Sequence, residues 1–261
     1  MRTNHVKAKL RRGEPSLGAW LNHSTPQQAR LLARLGFDWL LVDAEHGAYN
    51  PMVVADIVAS IADAGAECAP FVRVPHNTVE WFKWALDAGA WGVIVPMVNT
   101  AEEAQQAVSW AKYPPVGTRS IGGTFARLSF GTTDAAEYAR IANDEILVIL
   151  QIESTQALHN LDAILSVSGV DVAFVGPNDL HASLGLPPSN EGMEPEFVKA
   201  LEQIQDSVRR HNIALGIFTS GGEAAAQRIR EGFQMVSVTT DLGSLIAGAM
   251  QQLQDAQKSE K

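Results

Sequence analysis

The chain has 261 residues, 46% of them hydrophobic and 19% charged, a composition that excludes a disordered segment. Its single cysteine, Cys68, excludes a disulfide framework and a multi-cysteine zinc site, and fits a reducing compartment. A net charge of -9 with no basic run argues against a nucleic-acid partner and against an anionic membrane surface.

In chain order, the amino-terminal stretch MRTNHVKAKLRRGEPSLGAW lacks the apolar core of a signal peptide. No later apolar run reaches the ~18 residues that span a bilayer, so a soluble, cytoplasmic protein is expected. From Leu17 onward, short β-rich runs alternate with longer amphipathic segments. Strands are expected near Leu17–Leu21, Trp39–Val42, Cys68–Val72, Gly92–Val95, Ile146–Gln151, Val170–Val175, Ile213–Ile217 and Met235–Val238. Helices are expected over Pro26–Leu35, Pro51–Ala64, Thr78–Ala88, Ala101–Lys112, Ala157–Ser166, Glu194–His211, Glu223–Glu231 and Gly243–Gln257. Thr25 and Asn50 stand where N-caps belong, and Gly36, Gly65 and Gly89 where helices stop.

Eight strands each followed by a helix predict one α/β domain over residues 1–261, a closed (β/α)8 TIM barrel. An open doubly wound sheet is the alternative. The stretch from Ala111 to Glu145 exceeds an ordinary loop and is expected to hold an active-site loop and a short helix around Ala135–Ile141. The polar tail QQLQDAQKSEK either frays or packs on a neighbouring subunit.

In such a barrel the chemistry sits at the carboxyl ends of the strands. Strand 1 ends at Trp20, Asn22 and His23; strand 2 at Asp43, Glu45 and His46; strand 3 at Arg73. Strand 5 ends at Gln151 and Glu153, strand 6 at Asn178 and Asp179, strand 7 at Thr219 and Ser220, and strand 8 at Thr239, Thr240 and Asp241. Glu153 and Asp179, on adjacent strands, suit one hard divalent cation, but each equally suits the cap of its following helix or turn. Arg73 in FVRVP needs an anionic partner, either on a substrate or in an internal salt bridge to Asp43 or Glu45. His46 suits a general base oriented by an acid such as Asp87, or a plain loop cap. VGPND offers the backbone amides of a turn leading towards a helix to an anion; FTSGGE is a similar cradle or an ordinary helix N-cap. YPPVGTRSIGG, with Arg119, reads as a mobile lid, a subunit contact or a structural loop.

The seven lysines (Lys7, Lys9, Lys83, Lys112, Lys199, Lys258 and Lys261) all lie off the predicted strands and their carboxyl ends. A Schiff-base barrel needs a desolvated lysine in the mouth. Carbon–carbon cleavage next to a ketone on this chain therefore points to a metal as electron sink. No nucleophile elbow, dinucleotide fingerprint or P-loop is present.

The strings WLLVDAEHGAYN, FVRVPHN, DAGAWGVIVPMVNTAEEA, YPPVGTRSIGG, LQIES and VDVAFVGPNDL, in this order, resemble the HpcH/HpaI class II aldolases. The similarity runs from about Leu17 to Leu245. The resemblance implies a TIM barrel assembled as a hexamer, its last helix exchanged between neighbours. It implies retro-aldol cleavage of a 4-hydroxy-2-oxo acid to pyruvate, or a close analogue such as hydroxypyruvate, and an aldehyde, through an enolate that a metal stabilises. Glu153 and Asp179 match the ligands of that divalent metal, Mg2+ or Mn2+ with Co2+ also suited. Arg73 matches the arginine on the pyruvate oxygens, and His46 the catalytic histidine assisted by Asp87. Asp43 matches a supporting acid, Gln151 a glutamine near the keto acid, and Trp20 a pocket wall. Gly176, Pro177, Asn178 and Asp179 match the turn that holds the carboxylate. One departure is Ser120, where the compared members carry glycine after the loop arginine, which puts the acceptor-side contacts in doubt.

Three other readings of the same residues stand beside this one. One is a lyase of the citrate lyase β-subunit type acting on a CoA thioester, which would need a basic groove. The second is an isomerase or decarboxylase using the same enolate chemistry. The third is a non-catalytic sugar-acid binder.

Overall fold

A computed structural model of the chain describes residues 1–258. Lys261 and the end of the polar tail lie outside the described residues. Eight parallel strands pair in chain order, and the eighth returns to the first. They are β1 (Ser16–Leu21), β2 (Trp39–Asp43), β3 (Ala69–Arg73), β4 (Gly92–Val95), β5 (Leu147–Ile152), β6 (Val172–Val175), β7 (Ala214–Phe218) and β8 (Met235–Thr240). Every expected strand is present, with ends moved by a residue or two. Closure of the ring excludes the doubly wound sheet. β2 to β6 are buried along their whole length, which is why they read as continuous apolar runs without alternation.

The barrel interior is filled by large residues set against small ones. Trp39 is fully buried, and a Cβ on Gly18 would lie 2.0 Å from its ring, so only glycine fits beside it. The Trp39 Nε1–H donates to the Ser16 carbonyl at 3.3 Å, which gives its polar edge a partner in the apolar interior.

The expected outer helices are α2 (Pro26–Leu32), α3 (Pro51–Ala62), α4 (Val79–Asp87), α5 (Ala101–Ala111), α11 (Pro195–His211), α12 (Gly222–Arg230) and α13 (Asp241–Lys258). Thr25 and Asn50 cap their helices as expected. The single helix expected over Ala157–Ser166 is instead two, α8 (Thr155–His159) and α9 (Leu161–Leu165). They break at Asn160, whose side chain donates to the Asn99 carbonyl at 2.8 Å.

Three helices escaped the periodicity: α1 (His5–Arg11), α10 (Pro177–Ser183) and the six-residue α6 (Thr124–Ser129). α1 has only Val6 and Leu10 as buried apolar anchors, too few for a repeat. Asn4 caps it and also donates to the Trp91 carbonyl, so α1 seals the amino end of the barrel. α10 follows β6 directly, where a turn leading towards a helix was expected, its own bounds unassigned.

The amino end holds two buried lysines. Lys7 pairs with Asp171 at 2.8 Å. Lys112 donates to the carbonyls of Asn143 and Ile146, at 2.7 and 2.6 Å, beside the start of β5. Burial pushes Lys112 down to about 8.

The connection from α5 to β5 contains α6 (Thr124–Ser129) and α7 (Ala135–Glu145), the second covering the expected short helix. It was expected to carry an active-site loop. The structure instead packs it on the amino face: Phe130 stacks on Trp91, and Ser129 accepts from the Trp91 indole just before β4. It therefore does not wall the mouth of its own barrel.

α13 starts against β1 and β8 and then departs from the barrel. None of its described residues is buried, and Leu245, Ile246, Met250 and Leu253 are each more than half exposed.

Candidate active site

The carboxyl ends of the strands enclose a cavity of about 340 Å3. Of the expected site residues, Trp20, Asp43, His46, Arg73, Gln151, Gly176, Pro177, Asn178 and Asp179 all line it. Glu153 lies directly behind, bonded to Gln151.

Arg73 forms the floor. It is the last residue of β3 and lies in register with Asp43, the last residue of β2. Its Nε and Nη2 donate to the two Asp43 oxygens at 2.8 and 2.7 Å, a bidentate pair. Its Nη1 lies 2.8 Å from the Glu45 carboxylate. The internal salt bridge and the mouth-lining arginine are thus one arrangement, not competing readings. Burial pushes the Asp43 carboxyl up, but the hydrogen bonds and charge of Arg73, joined by the backbone N–H groups of His46 and Glu45, together outweigh it and hold Asp43 below the usual range. Burial raises Glu45, with Arg73 and His46 opposing and the charges of Asp43 and Asp179 adding to the rise.

The Trp20 ring lies 5.1 Å from the Arg73 guanidinium carbon, a cation–π contact. Phe174 and Phe218 hold that ring in place, at 5.6 and 5.4 Å between centroids. Both phenylalanines line the mouth, and neither was foreseen, because an aromatic residue within an apolar strand reads as core.

Glu153 is not a helix cap. Ser154 performs that role for α8, and Glu153 turns into the barrel, where it is 2% exposed. Its Oε1 accepts from the Met97 N–H at 2.7 Å, and its Oε2 accepts from Gln151. Burial pushes Glu153 up to about 7, and the charges of Asp179 and Glu45 push the same way. Three carboxylates, Glu45, Glu153 and Asp179, thus converge beside one buried guanidinium, that of Arg73. A cation would relieve that repulsion. Two further observations fit such a guest. The buried Oε1 of Gln151 has no hydrogen-bond partner among the described residues. A Cβ on Gly176 would fall 2.1 Å from the Glu153 Oε2, so glycine keeps that oxygen accessible. The donor set, carboxylate and amide oxygens, is that of a hard divalent ion.

Asn178 and Asp179 stand in the first turn of α10, where helical N–H groups lack intrahelical acceptors. The second expected anion cradle, FTSGGE, is already filled: the Ser220 N–H and Oγ–H both donate to Glu191 Oε1 at 3.2 Å.

His46 is exposed at the rim, and its backbone N–H donates to Asp43 at 3.3 Å. Asp87 does not join it. α4 runs back from the mouth, and Asp87 ends it on the amino face. There Asp87 accepts from Arg119 at 3.4 Å, while Arg119 also donates to the Leu86 carbonyl and stacks on Tyr113 at 4.5 Å. Within one chain, His46 and Asp87 sit at opposite ends of the barrel. Strand order could not show this, because each residue was placed by its neighbours in sequence, not by the direction of its helix. Asn190, which lines the mouth from the connection between α10 and α11, also escaped the sequence reading.

The family pattern described as HpcH/HpaI aldolase/citrate lyase matches residues 16–248. The 4-hydroxy-2-oxo-heptane-1,7-dioate aldolase of Escherichia coli is 38% identical over 250 residues, covering 96% of this chain and 93% of that protein. The crystal structure of an HpcH/HpaI aldolase/citrate lyase family protein from Burkholderia cenocepacia superimposes with a TM-score of 0.90 at 34% identity, covering 98% of this chain and 100% of that one. An HpcH/HpaI aldolase from Desulfitobacterium hafniense gives 0.86 at 31% identity, covering 96% and 95%. The chain belongs to the HpcH/HpaI aldolase/citrate lyase family.

Proposed function

We propose that this chain catalyses the reversible cleavage of a 4-hydroxy-2-oxo acid into pyruvate, or a close analogue, and an aldehyde. The observation that carries the reading is the meeting of Arg73, Gln151, Glu153 and Asp179 in one mouth that no described lysine enters. The two buried lysines, Lys7 and Lys112, lie on the opposite face.

Glu153 and Asp179 would hold a divalent cation, Mg2+ or Mn2+, which when bound polarises the 2-oxo group as a Lewis acid. Arg73 places its guanidinium at the same oxygen and balances the charge that develops there. The N–H groups of Asn178 and Asp179 receive the substrate carboxylate, and the Gln151 amide fixes the plane of the keto acid. Trp20 packs on the reacting carbons and excludes water. His46 takes the proton from the 4-hydroxyl group as the C3–C4 bond breaks and delivers it to C3, which becomes the pyruvate methyl group; both transfers reverse in synthesis. Asp43 keeps Arg73 and Asn22 in place, the latter donating to it at 2.7 Å. Pairing His46 with Asp87 requires a second copy of the chain, since the two do not meet within one chain. The uncovered apolar residues of α13 support a homo-oligomer.

The test is pyruvate formation from a panel of 4-hydroxy-2-oxo acids, coupled to lactate dehydrogenase, with and without EDTA. Activity lost in EDTA, restored by Mg2+ or Mn2+, and untouched by borohydride with pyruvate is expected. A borohydride-trapped lysine adduct would sink the proposal. The thioester reading lacks its basic groove, since Arg73 is the sole Lys or Arg lining the mouth among the described residues.

A further inference from the structure

Every strand but β4 places a side chain on the mouth, among the described residues. β4 contributes through its backbone instead. Just past its end, Met97 has φ 52°, a left-handed conformation that a residue with a Cβ rarely adopts. Met97 is 49% exposed, yet its N–H points inward and donates to Glu153 Oε1 at 2.7 Å. Asn99 holds this turn. Its Nδ2 donates to the Met97 carbonyl at 2.8 Å, and its Oδ1 accepts from the Ser154 hydroxyl. Ser154 follows Glu153 in the chain, so Glu153, Met97, Asn99 and Ser154 close a ring. Asn99 is in turn fixed at both of its backbone groups. Its N–H donates to Glu103 of α5 at 2.6 Å, and its carbonyl accepts from Asn160 at 2.8 Å.

We propose that Asn99 is a positioning residue, which keeps Met97 in the left-handed turn and, through the Met97 N–H, orients Glu153 for a divalent cation. This inference rests on the metal-ligand reading above and adds to it the part played by β4. Three observations carry it. An uphill backbone conformation persists only where its surroundings over-determine it, and both backbone groups of Met97 are engaged, one by Glu153 and one by Asn99. Apolar packing within this chain does not account for the turn, because Met97 is exposed. The N–H on Oε1 also stops the carboxylate from rotating, which leaves Oε2 beside Gln151 and the space at Gly176.

Without the Asn99 amide, Met97 relaxes toward the ordinary extended or helical region. Its N–H then turns away from Glu153, and the carboxylate must be ordered when the cation binds. Glycine at position 97 separates this role from a plain loop tie. It keeps the N–H and enters the left-handed region without a steric cost.

The experiment titrates Mn2+ calorimetrically into the full chain, as wild type, Asn99→Ala, Met97→Gly and the double variant. Asn99→Ala weakens Mn2+ binding about tenfold with the circular dichroism of the barrel retained. Met97→Gly stays within about threefold of wild type, and in the double variant it restores most of the loss. A loss that Met97→Gly does not restore assigns Asn99 a purely structural role and overturns the proposal. The second measurement uses the wild type alone, by hydrogen exchange of the Met97 amide on chain carrying isotope-labelled methionine. Slow exchange is expected despite the exposure of the residue, and its resonance should move on addition of Mg2+. Exchange at the rate of an unstructured chain overturns the proposal whether or not the variants fold. Mn2+ binding by the wild type with Asn99→Ala unchanged defeats the role of Asn99 alone. A wild type that binds no Mn2+ defeats the metal-ligand reading and this proposal with it.

Discussion

The two ends of the barrel both bury charge, and they treat it differently. At the amino end, Lys7 meets Asp171 and Lys112 meets two carbonyl oxygens, so each cation has partners from the chain itself. At the carboxyl end, Glu153 is crowded by Asp179 and Glu45, the Gln151 carbonyl oxygen has no partner among the described residues, and Gly176 leaves space beside the Glu153 carboxylate. A satisfied buried charge is consistent with a structural role. An arrangement completed only by a guest carries a cost that binding removes. The difference is the physical ground, independent of any relative, for proposing the site at the carboxyl face.

Substitutions at the two ends should therefore fail in different ways, and the largest effects belong to the mouth. Glu153→Ala and Asp179→Ala should each lower turnover by more than about 100-fold and weaken Mn2+ binding in a calorimetric titration, with the circular dichroism of the barrel retained. Full Mn2+ binding in either variant would break the ligand assignment.

Arg73 belongs to both function and stability. Arg73→Lys should keep Mn2+ binding and lose roughly 100-fold in kcat, because an ammonium cannot reproduce the fork that holds Asp43 and faces the substrate. Arg73→Ala leaves Asp43 buried and unpaired, and chemical denaturation should show a loss of about 3–5 kcal/mol. Wild-type kcat in Arg73→Lys would mean that the positive charge alone is what the site uses.

Gly176→Ala is the milder test of the same space. Its backbone is extended, with φ -94°, so the added methyl does not strain the backbone but meets the Glu153 Oε2 at 2.1 Å and the Gln151 Nε2 at 2.7 Å. Metal affinity should fall about 10- to 100-fold while the melting temperature stays close to wild type.

Lys112→Met gives the smallest effect and probes the other end. Turnover should stay at the wild-type level. Its signature is in stability against pH. The unfolded chain holds this proton up to the ordinary 10.5, whereas burial makes the folded chain release it near 8. Between those values the unfolded state binds more protons, so the contribution of Lys112 to stability rises with pH from 8 to 10.5 and is flat below. The stability difference between wild type and Lys112→Met, followed by urea denaturation, should show that rise. A flat difference across the window would mean that Lys112 is solvated in the folded chain.

The linear chain determined a good deal by itself. Repeated β-rich runs and capped amphipathic segments are local signals, so eight βα units and their order were legible, as were Thr25, Asn50 and the strand-end residues Arg73 and Glu153. The absence of a lysine at any strand end was legible too. Helices α1 and α6 were not, nor the bounds of α10, because each is short and owes its stability to what it docks against. Only the closed barrel decided the rest. It turned Glu153 inward and left capping to Ser154, joined Asp43, Arg73 and Glu45 into one ion cluster, and drew Phe174, Phe218 and Asn190 to the mouth. It also sent Asp87 to the face opposite His46, because a helix that returns from a strand's carboxyl end carries its last residue to the other side. Direction and enclosure are properties of the closed ring, and sequence spacing does not contain them.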